Sequence, residues 1–500
     1  MSGRTRRSAW TASMQLLFTV LTVLIGVFTT PWLLRTLGAD VFGAFRILLD
    51  AAGYLTLFDA GLSGALMVCL AAALGSGKAD AVYGARAAGL RLYVPLTVAA
   101  LAAGLLLFAA LAHLGSWRPL PASEVRMAGW ILTLPNILIP LATFRALAEA
   151  RQRGYLINLS LTVQSVLTTL LLVLAAQAGF GLVGQSAAVA TGLFVVAPIL
   201  IWDGARAFPH WLAATPDAGI TKKAAALQWP TLAHQTSLRA GLLSDNLVAG
   251  LVISPAAVPA LFLTQRLATL ARAQLSGAGG ATWAGLAELH FQTQGDLFRE
   301  RLLELTGLVS SIGIVLLAPI AAYNQQFMSR WVGSALYAGG IVSVVTCFNA
   351  WLWPLASLWM AVLAGTGHVA RVAPYSIAFV AVNLAVSLAA TYQFGIVGPA
   401  LGTLIALVTV SAWAVPGLLS DCLQVPAVRL WTHALKPLRW GVPYIAAVWL
   451  AAQSHTAAGW IGLACEMALA VAAGLLLWFL SLGEQARAAW RNRLRGILPL

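Results

Sequence analysis

Fourteen apolar runs, most of them longer than 20 residues, dominate this chain and constrain its fold more than any other feature: 9–34, 41–73, 88–113, 125–148, 154–178, 181–205, 224–252, 256–287, 302–324, 336–364, 370–392, 395–420, 435–453 and 458–482. A helix needs about 20 apolar residues to cross a hydrocarbon core of about 30 Å, whereas strands of a membrane barrel show short alternating segments. Only 9% of the 500 residues are charged, against roughly 25% in soluble domains. A cytosolic enzyme, a disordered chain and a secreted disulfide scaffold are thereby excluded. Cys69, Cys347, Cys422 and Cys465 lie among apolar stretches without a C-x-x-C pair, which reads as neither a disulfide framework nor a metal cluster. The expected fold class is all-α, a polytopic membrane protein.

The net charge of +14 would suit a nucleic-acid binder, but its placement says otherwise. With the N-terminus in the cytoplasm, 22 of the 30 Lys and Arg fall on the cytoplasmic side. Four fall outside (Arg35, Arg118, Arg126 and Arg330), and four lie within spans (Arg46, Arg239, Arg266 and Arg272). This is the positive-inside pattern. It expects an even number of spans with both termini cytoplasmic, and no nucleic-acid partner. Thr5-Arg6-Arg7 resembles a twin-arginine start, yet the apolar stretch after it exceeds 20 residues and lacks an A-x-A site; a retained first helix is expected.

The chain is internally duplicated. Phe180-Gly-Leu-Val-Gly184 recurs as Phe394-Gly-Ile-Val-Gly398, and Pro140-Leu-Ala-Thr143 as Pro354-Leu-Ala-Ser357, both at an offset of 214. Gly61 and Gly64 recur as Gly277 and Gly280 at 216. Spans 2, 4 and 6 thus match spans 8, 10 and 12. Each repeat holds six spans, and an even number makes the repeats parallel, a transporter architecture with substrate sites near the midplane. The expected domains are 1–215 (spans 1–6), 216–425 (spans 7–12), and 426–500, with two extra helices and a basic tail.

Ionisable side chains within spans cost about 2.5–3.5 kcal/mol on insertion scales and are functional hypotheses by default. Here they gather in spans 2, 7 and 8: Arg46, Asp50 and Asp59; His234, Arg239 and Asp245; Arg266 and Arg272. Arg46 and Asp50 are spaced i, i+4, as a local ion pair requires. Asp50 also matches Arg266 at the repeat offset, so a bridge across the pseudo-twofold axis is a second reading. Arg266 and Arg272 lie about 120° apart around a helix, with Gly277, Gly279 and Gly280 just beyond as a source of flexibility. Asp59 precedes Gly61-Leu-Ser63-Gly64 and reads as a kink or packing position before an ion-coupling one. His234 and Asp245 share a face of span 7, which fits a proton-coupling pair or a hydrogen-bonded histidine. Glu466, in the outer half of span 14, reads as a satisfied interface group.

The junction after span 1, Pro31-Trp-Leu-Leu-Arg35-Thr-Leu-Gly38-Ala-Asp40-Val-Phe42-Gly43, continues through Tyr54 to Asp59-Ala-Gly61-Leu-Ser63. It resembles the opening signature of polysaccharide transporters, the O-antigen or lipid-linked oligosaccharide flippases of the multidrug/oligosaccharidyl-lipid/polysaccharide (MOP) exporter superfamily. The paired F-G-[LI]-V-G starts of spans 6 and 12 are similar to a pattern of that family as well. The resemblance implies two six-helix lobes in a V, with a central cleft lined by spans 1, 2, 7 and 8. It also implies alternating-access translocation of undecaprenyl-diphosphate-linked oligosaccharide across the bacterial inner membrane. Its partners would be polyprenyl-diphosphate-linked glycan, membrane lipids and glycan polymerase machinery, with no cofactor and no metal. On this reading the headgroup ligands are Arg266, then Arg239, Arg272 and Arg46, since guanidinium binds diphosphate bidentately and keeps its charge. Asp50, Asp59, Asp245 and His234 would gate or couple ions. Lipid II flippases carry two extra C-terminal helices too, which implies a polyprenyl groove at spans 13 and 14; their Arg-bearing first helix is missing here.

An ion-coupled extruder of drugs or small molecules is the first alternative and a membrane enzyme of glycan assembly the second. Gly75-Ser76-Gly77-Lys78 is followed by Ala79, so the phosphate-loop pattern fails. H-E-x-x-H and G-x-S-x-G are missing, and the outside loop at 113–125 is too short for a glycan polymerase.

Overall fold

The structure, a computed structural model, describes residues 3–59, 61–75, 77–115, 117, 119–207, 215, 218–219, 221–222, 243–292, 295–484 and 487. Among these residues the regular elements are helical and none is a strand. Contacts divide the chain into two compact units, Met1–Pro259 and Ala260–Leu500. In chain order the first unit holds α1 (Gly3–Leu55), α2 (Leu62–Gly75), α3 (Ala79–Leu114), α4 (Ala122–Thr133), α5 (Ala142–Ala150), α6 (Gly154–Gln177), α7 (Gly181–Phe194), α8 (Val196–Ala207) and α9 (Leu243–Val252). Helix α10 (Val258–Thr264) leads into α11 (Arg266–Phe291), α12 (Gly295–Trp331), α13 (Gly340–Gly365), α14 (Val369–Phe394), α15 (Gly398–Ala406) and α16 (Ala412–Leu423). The chain ends in α17 (Ala427–Leu435), α18 (Leu438–Ser454) and α19 (Gly459–Ser481). Nine stretches among the described residues are long and apolar enough to cross a membrane, some of them joining two helices.

Spans 1 and 2 form one continuous rod, α1, bent at Gly38, whose φ of 77° and ψ of 165° leave the helical region. Only glycine enters that conformation without a Cβ clash, so the glycine of the R-x-L-G junction is the bend itself. The expected uninterrupted span 2 is instead broken at the 3-10 turn Thr56–Asp59, before α2 resumes at Leu62. Span 4 is broken as well, by a 3-10 stretch, Leu134–Leu141, that contains Pro135 and Pro140. Each proline removes a backbone donor and clashes with the preceding turn, and the Asn136 amide covers the Thr133 carbonyl at 2.8 Å.

The duplication extends to backbone hydrogen bonds. After α5, the Arg153 amide donates to the Ala148 carbonyl at 2.8 Å and the Gln152 amide to that of Glu149 at 2.8 Å. After α13, the His368 amide donates to the Leu363 carbonyl at 2.8 Å and the Gly367 amide to that of Ala364 at 3.2 Å. This is one Schellman turn, drawn twice at an offset of 215. It needs a left-handed residue, supplied by Gln152 (φ 56°) and Gly367 (φ 87°). The repeated Phe-Gly pair behaves likewise, with Gly181 at φ 52° and Gly395 at φ 60°.

Buried aromatic donors join the helices of the second unit. Trp359 Nε1 donates to Thr306 Oγ1 at 3.1 Å and Trp351 Nε1 to Ser310 Oγ at 3.2 Å, both from α13 to α12. Such partners let large rings be buried without an unsatisfied N–H.

Candidate functional site

The first cluster lies where α9 presses on the part of α1 after Gly38. A Cβ on Gly43 would sit 1.9 Å from the Pro255 carbonyl oxygen, and one on Gly53 2.7 Å from Leu243 Cδ1. Gly43 therefore lets the turn after α9 approach the α1 backbone closely, and Gly53 makes room for the Leu243 side chain, as small residues do between membrane helices generally. Into this contact α1 directs Asp50, 2% exposed. Arg46 Nη2 donates to Asp50 Oδ1 at 2.8 Å, which realises the i, i+4 pair, and Asn246 Nδ2 donates to Asp50 Oδ2 at 2.7 Å. Both carboxylate oxygens are thus engaged within the first unit. Asp245, the neighbour of Asn246, is half-buried. A buried ion pair whose second carboxylate oxygen is also satisfied meets the demand that such a pair makes in an apolar interior.

The second cluster sits at the break in span 2. Asp59 closes the 3-10 turn and accepts from Ser63 Oγ at 2.9 Å and from Tyr93 Oη at 2.6 Å. Tyr93 is completely buried on α3, against Leu62, Leu66 and Leu147. The expected kink is present, and Asp59 is tied to α3 at that point.

In the second unit, span 8 is interrupted at Gln265, and Arg266 is the first residue of α11. The Arg266 guanidinium stands 5.7 Å from the centre of the Phe262 ring and that of Arg272 5.4 Å from the Trp353 ring. Both distances fall in the range of cation–π attraction. The 120° azimuth between the two arginines therefore delivers one to α10 and the other to α13. Helix α11 continues unbroken through Gly277, Gly279 and Gly280; the interruption precedes the arginines. Beside it, Asn324 Nδ2 on α12 donates to the Thr264 carbonyl and to Ser343 Oγ, each at 2.8 Å. His234 and Arg239 lie outside the described residues.

A further ionic group lies at the end of the first unit that the charge pattern assigns to the cytoplasm. Asp203 on α8 is 4% exposed. It accepts from Arg151 Nη1 at 3.0 Å and from Arg153 Nη1, both in the turn after α5. In the repeated turn of the second unit, Arg371 Nη1 donates to Cys422 Sγ at 3.2 Å instead. There the His368 imidazole is held below its ordinary pKa, chiefly by burial and then by the charges of Arg371 and His290.

Asn246, Tyr93 and Asn324 are uncharged polar residues that a search for charge within spans passes over, and Asp203 is charged but sits two residues from the end of the run 181–205. Asn246 adjoins Asp245 and lies in an apolar run, so a search for uncharged polar groups at membrane depth would find it. Asp203 hides among interface charges.

No protein-family model matches the sequence, and no curated protein does. Solved structures do match. The lipid II flippase MurJ, in an inward closed conformation, aligns over 98% of this chain and 100% of its own, with a TM-score of 0.67 and 11% identity. An inward-facing multidrug resistance MATE family transporter of the MOP superfamily aligns over 88% of this chain and 98% of its own, with a TM-score of 0.59 and 15% identity. An outward-facing one aligns over 89% and 96%, with a TM-score of 0.56 and 15% identity. At these identities the likeness is one of fold, and this polytopic all-α chain has the fold of MOP-superfamily transporters.

Proposed function

We propose that this protein is a flippase, a transporter and not an enzyme, that moves a lipid-diphosphate-linked oligosaccharide, a surface-polysaccharide repeat unit, across the bacterial inner membrane by alternating access. The observation that carries the reading is the extent of the match to a lipid-linked flippase. An alignment over 98% of 500 residues necessarily includes α18 and α19. The arginines of α11 add to it, since Arg266 and Arg272 place guanidinium groups in an apolar span, where an ionisable side chain is costly and marks a candidate site. In this reading Arg266 binds the diphosphate first, with Arg272, Arg239 and Arg46 as further ligands. Asp50, Asp59, Asp245 and His234 gate or couple the cycle. Both termini are cytoplasmic, as the basic residues indicate, and glycan polymerase machinery is a partner.

The experiment is a cell-surface glycan assay in a strain that depends on this gene. Arg266→Ala should abolish surface glycan while the protein still inserts at normal abundance. Normal glycan export by that variant removes Arg266 from the site. Export unaffected by deletion of the whole gene, together with raised accumulation of cationic dyes, would instead support a drug extruder.

A further inference from the structure

A cavity of about 660 Å³ opens among α12, α18 and α19 in the second unit, walled by Trp440, Tyr444 and Leu477, and by Tyr323, His455 and Glu466. Its volume lies within the roughly 300–1,000 Å³ of small-molecule sites. The Tyr444 hydroxyl is already spent on the Val315 and Ala470 carbonyls, at 3.1 and 3.0 Å. That leaves its ring as wall. The trough is graded along its length, because α18 and α19 run antiparallel. Ser454, His455 and Glu466 lie toward the α18–α19 turn, while Trp440 and Leu477 lie at the far end.

Glu466 departs from the expectation of a satisfied interface group. Seven residues into α19, it lies about 10 Å along the helix from its start. The Tyr323 hydroxyl hydrogen-bonds to it. Its Oε2 is nevertheless buried, with no hydrogen-bond partner among the described residues. A buried acceptor left without a donor is costly, more so when charged. A polyprenyl chain laid in this trough would match its apolar end and leave Oε2 as it is.

We propose that the α12–α18–α19 cavity is a binding site for a hydrophobic primary ammonium compound that enters from the bilayer. Its N–H groups meet Glu466 Oε2, and its hydrocarbon body runs past Tyr444 toward Trp440 and Leu477. The carboxylate supplies the opposite charge, the missing donor selects an ammonium that bears N–H over a quaternary one, and the aromatic faces favour a cation nearby. The inference does not depend on the transported substrate.

The test uses the full-length protein in lipid nanodiscs, labelled with a long-chain primary alkylamine that carries a photoreactive diazirine. The labelled peptides are read by mass spectrometry with dodecylamine, dodecyltrimethylammonium, dodecanol or a polyprenol as competitor. Label on α18 and α19 is expected, displaced by dodecylamine at a concentration at least tenfold below any other competitor. Glu466→Gln should remove that preference, and Leu477→Trp should block labelling by filling the trough. Both variants are checked for monodispersity and wild-type melting temperature, and Leu477→Trp serves alone if Glu466→Gln fails to fold. Equal competition by the alcohol or the polyprenol, undiminished labelling of either variant, or label confined to other helices would overturn the proposal.

Discussion

Asn246 reaches across 196 residues of sequence to hold Asp50 Oδ2 at 2.7 Å, and in doing so fastens α9 to the first bent rod of the fold. The carboxylate it holds is 2% exposed and already paired with Arg46 on its other oxygen. Substitutions at the two partners distinguish a structural ion pair from a working one. Arg46→Ala leaves a buried carboxylate with one donor. Breaking a fully buried pair costs about 3–5 kcal/mol. Because Arg46 is 28% exposed, a loss of roughly 2 kcal/mol is expected here, read as a lowered melting temperature in detergent. The double change Arg46→Met with Asp50→Leu should recover most of that stability, since apolar replacement of a buried pair is often neutral. Transport should stay lost. Recovery of both would make the cluster purely structural.

Asp203 is the common acceptor of Arg151 and Arg153. Asp203→Ala should lower stability by about 1.5–3 kcal/mol, the range for hydrogen bonds to charged groups, and should raise proteolytic cleavage in the turn between α5 and α6. Asp203→Glu should restore part of both. A melting temperature unchanged in Asp203→Ala would mean that the two arginines are held by other contacts.

The twin turns after α5 and α13 differ at their left-handed residue. A non-glycine residue there costs roughly 1–2 kcal/mol, and Gln152 is in that position while Gly367 is its counterpart. Gln152→Gly should therefore stabilise the protein by up to about 1 kcal/mol, and Gly367→Ala should destabilise it by a similar amount. Thermal unfolding of the two variants checks the pair. Equal signs would contradict the equivalence of the turns.

His368 lies outside the membrane spans, and burial, Arg371 and His290 depress its pKa below the ordinary 6.5. Its neutral form is therefore favoured on folding. The stability it contributes is complete above about pH 6.5 and declines as pH falls from there toward the depressed folded value, because the unfolded chain takes up the proton first. Melting temperatures from pH 7.5 to 5.5 should fall less steeply in His368→Asn than in the wild type, and Arg371→Gln should soften the slope through the same repulsion. Identical slopes in all three would remove His368 from the acid response.

Much of the fold was legible because bilayer crossing leaves a one-dimensional trace. Run length located the helices, and the Leu37-Gly38 junction marked the bend of α1. The interruptions at Thr56–Asp59 and Gln265 were not legible, since hydropathy records side chains and is blind to a change of backbone course inside an apolar stretch. The Arg46–Asp50 pair could be read from its spacing, being local to one helix. Asn246 and Tyr93 could not, because each meets its carboxylate only through packing of distant segments. Glu466 was legible only in part for a related reason: whether both oxygens of a carboxylate in a span have donors is a property of three helices together.

The most direct test of the central claim is translocation by the purified protein. Proteoliposomes would carry a fluorescent undecaprenyl-diphosphate oligosaccharide in both leaflets, and a membrane-impermeant reductant would report how much of it becomes reachable. Wild-type protein should expose nearly all of the label, and Arg266→Ala should leave about half protected, as in protein-free vesicles. Protection of half the label by the wild-type protein, under an imposed ion gradient of either direction, would contradict the assignment as a lipid-linked oligosaccharide flippase.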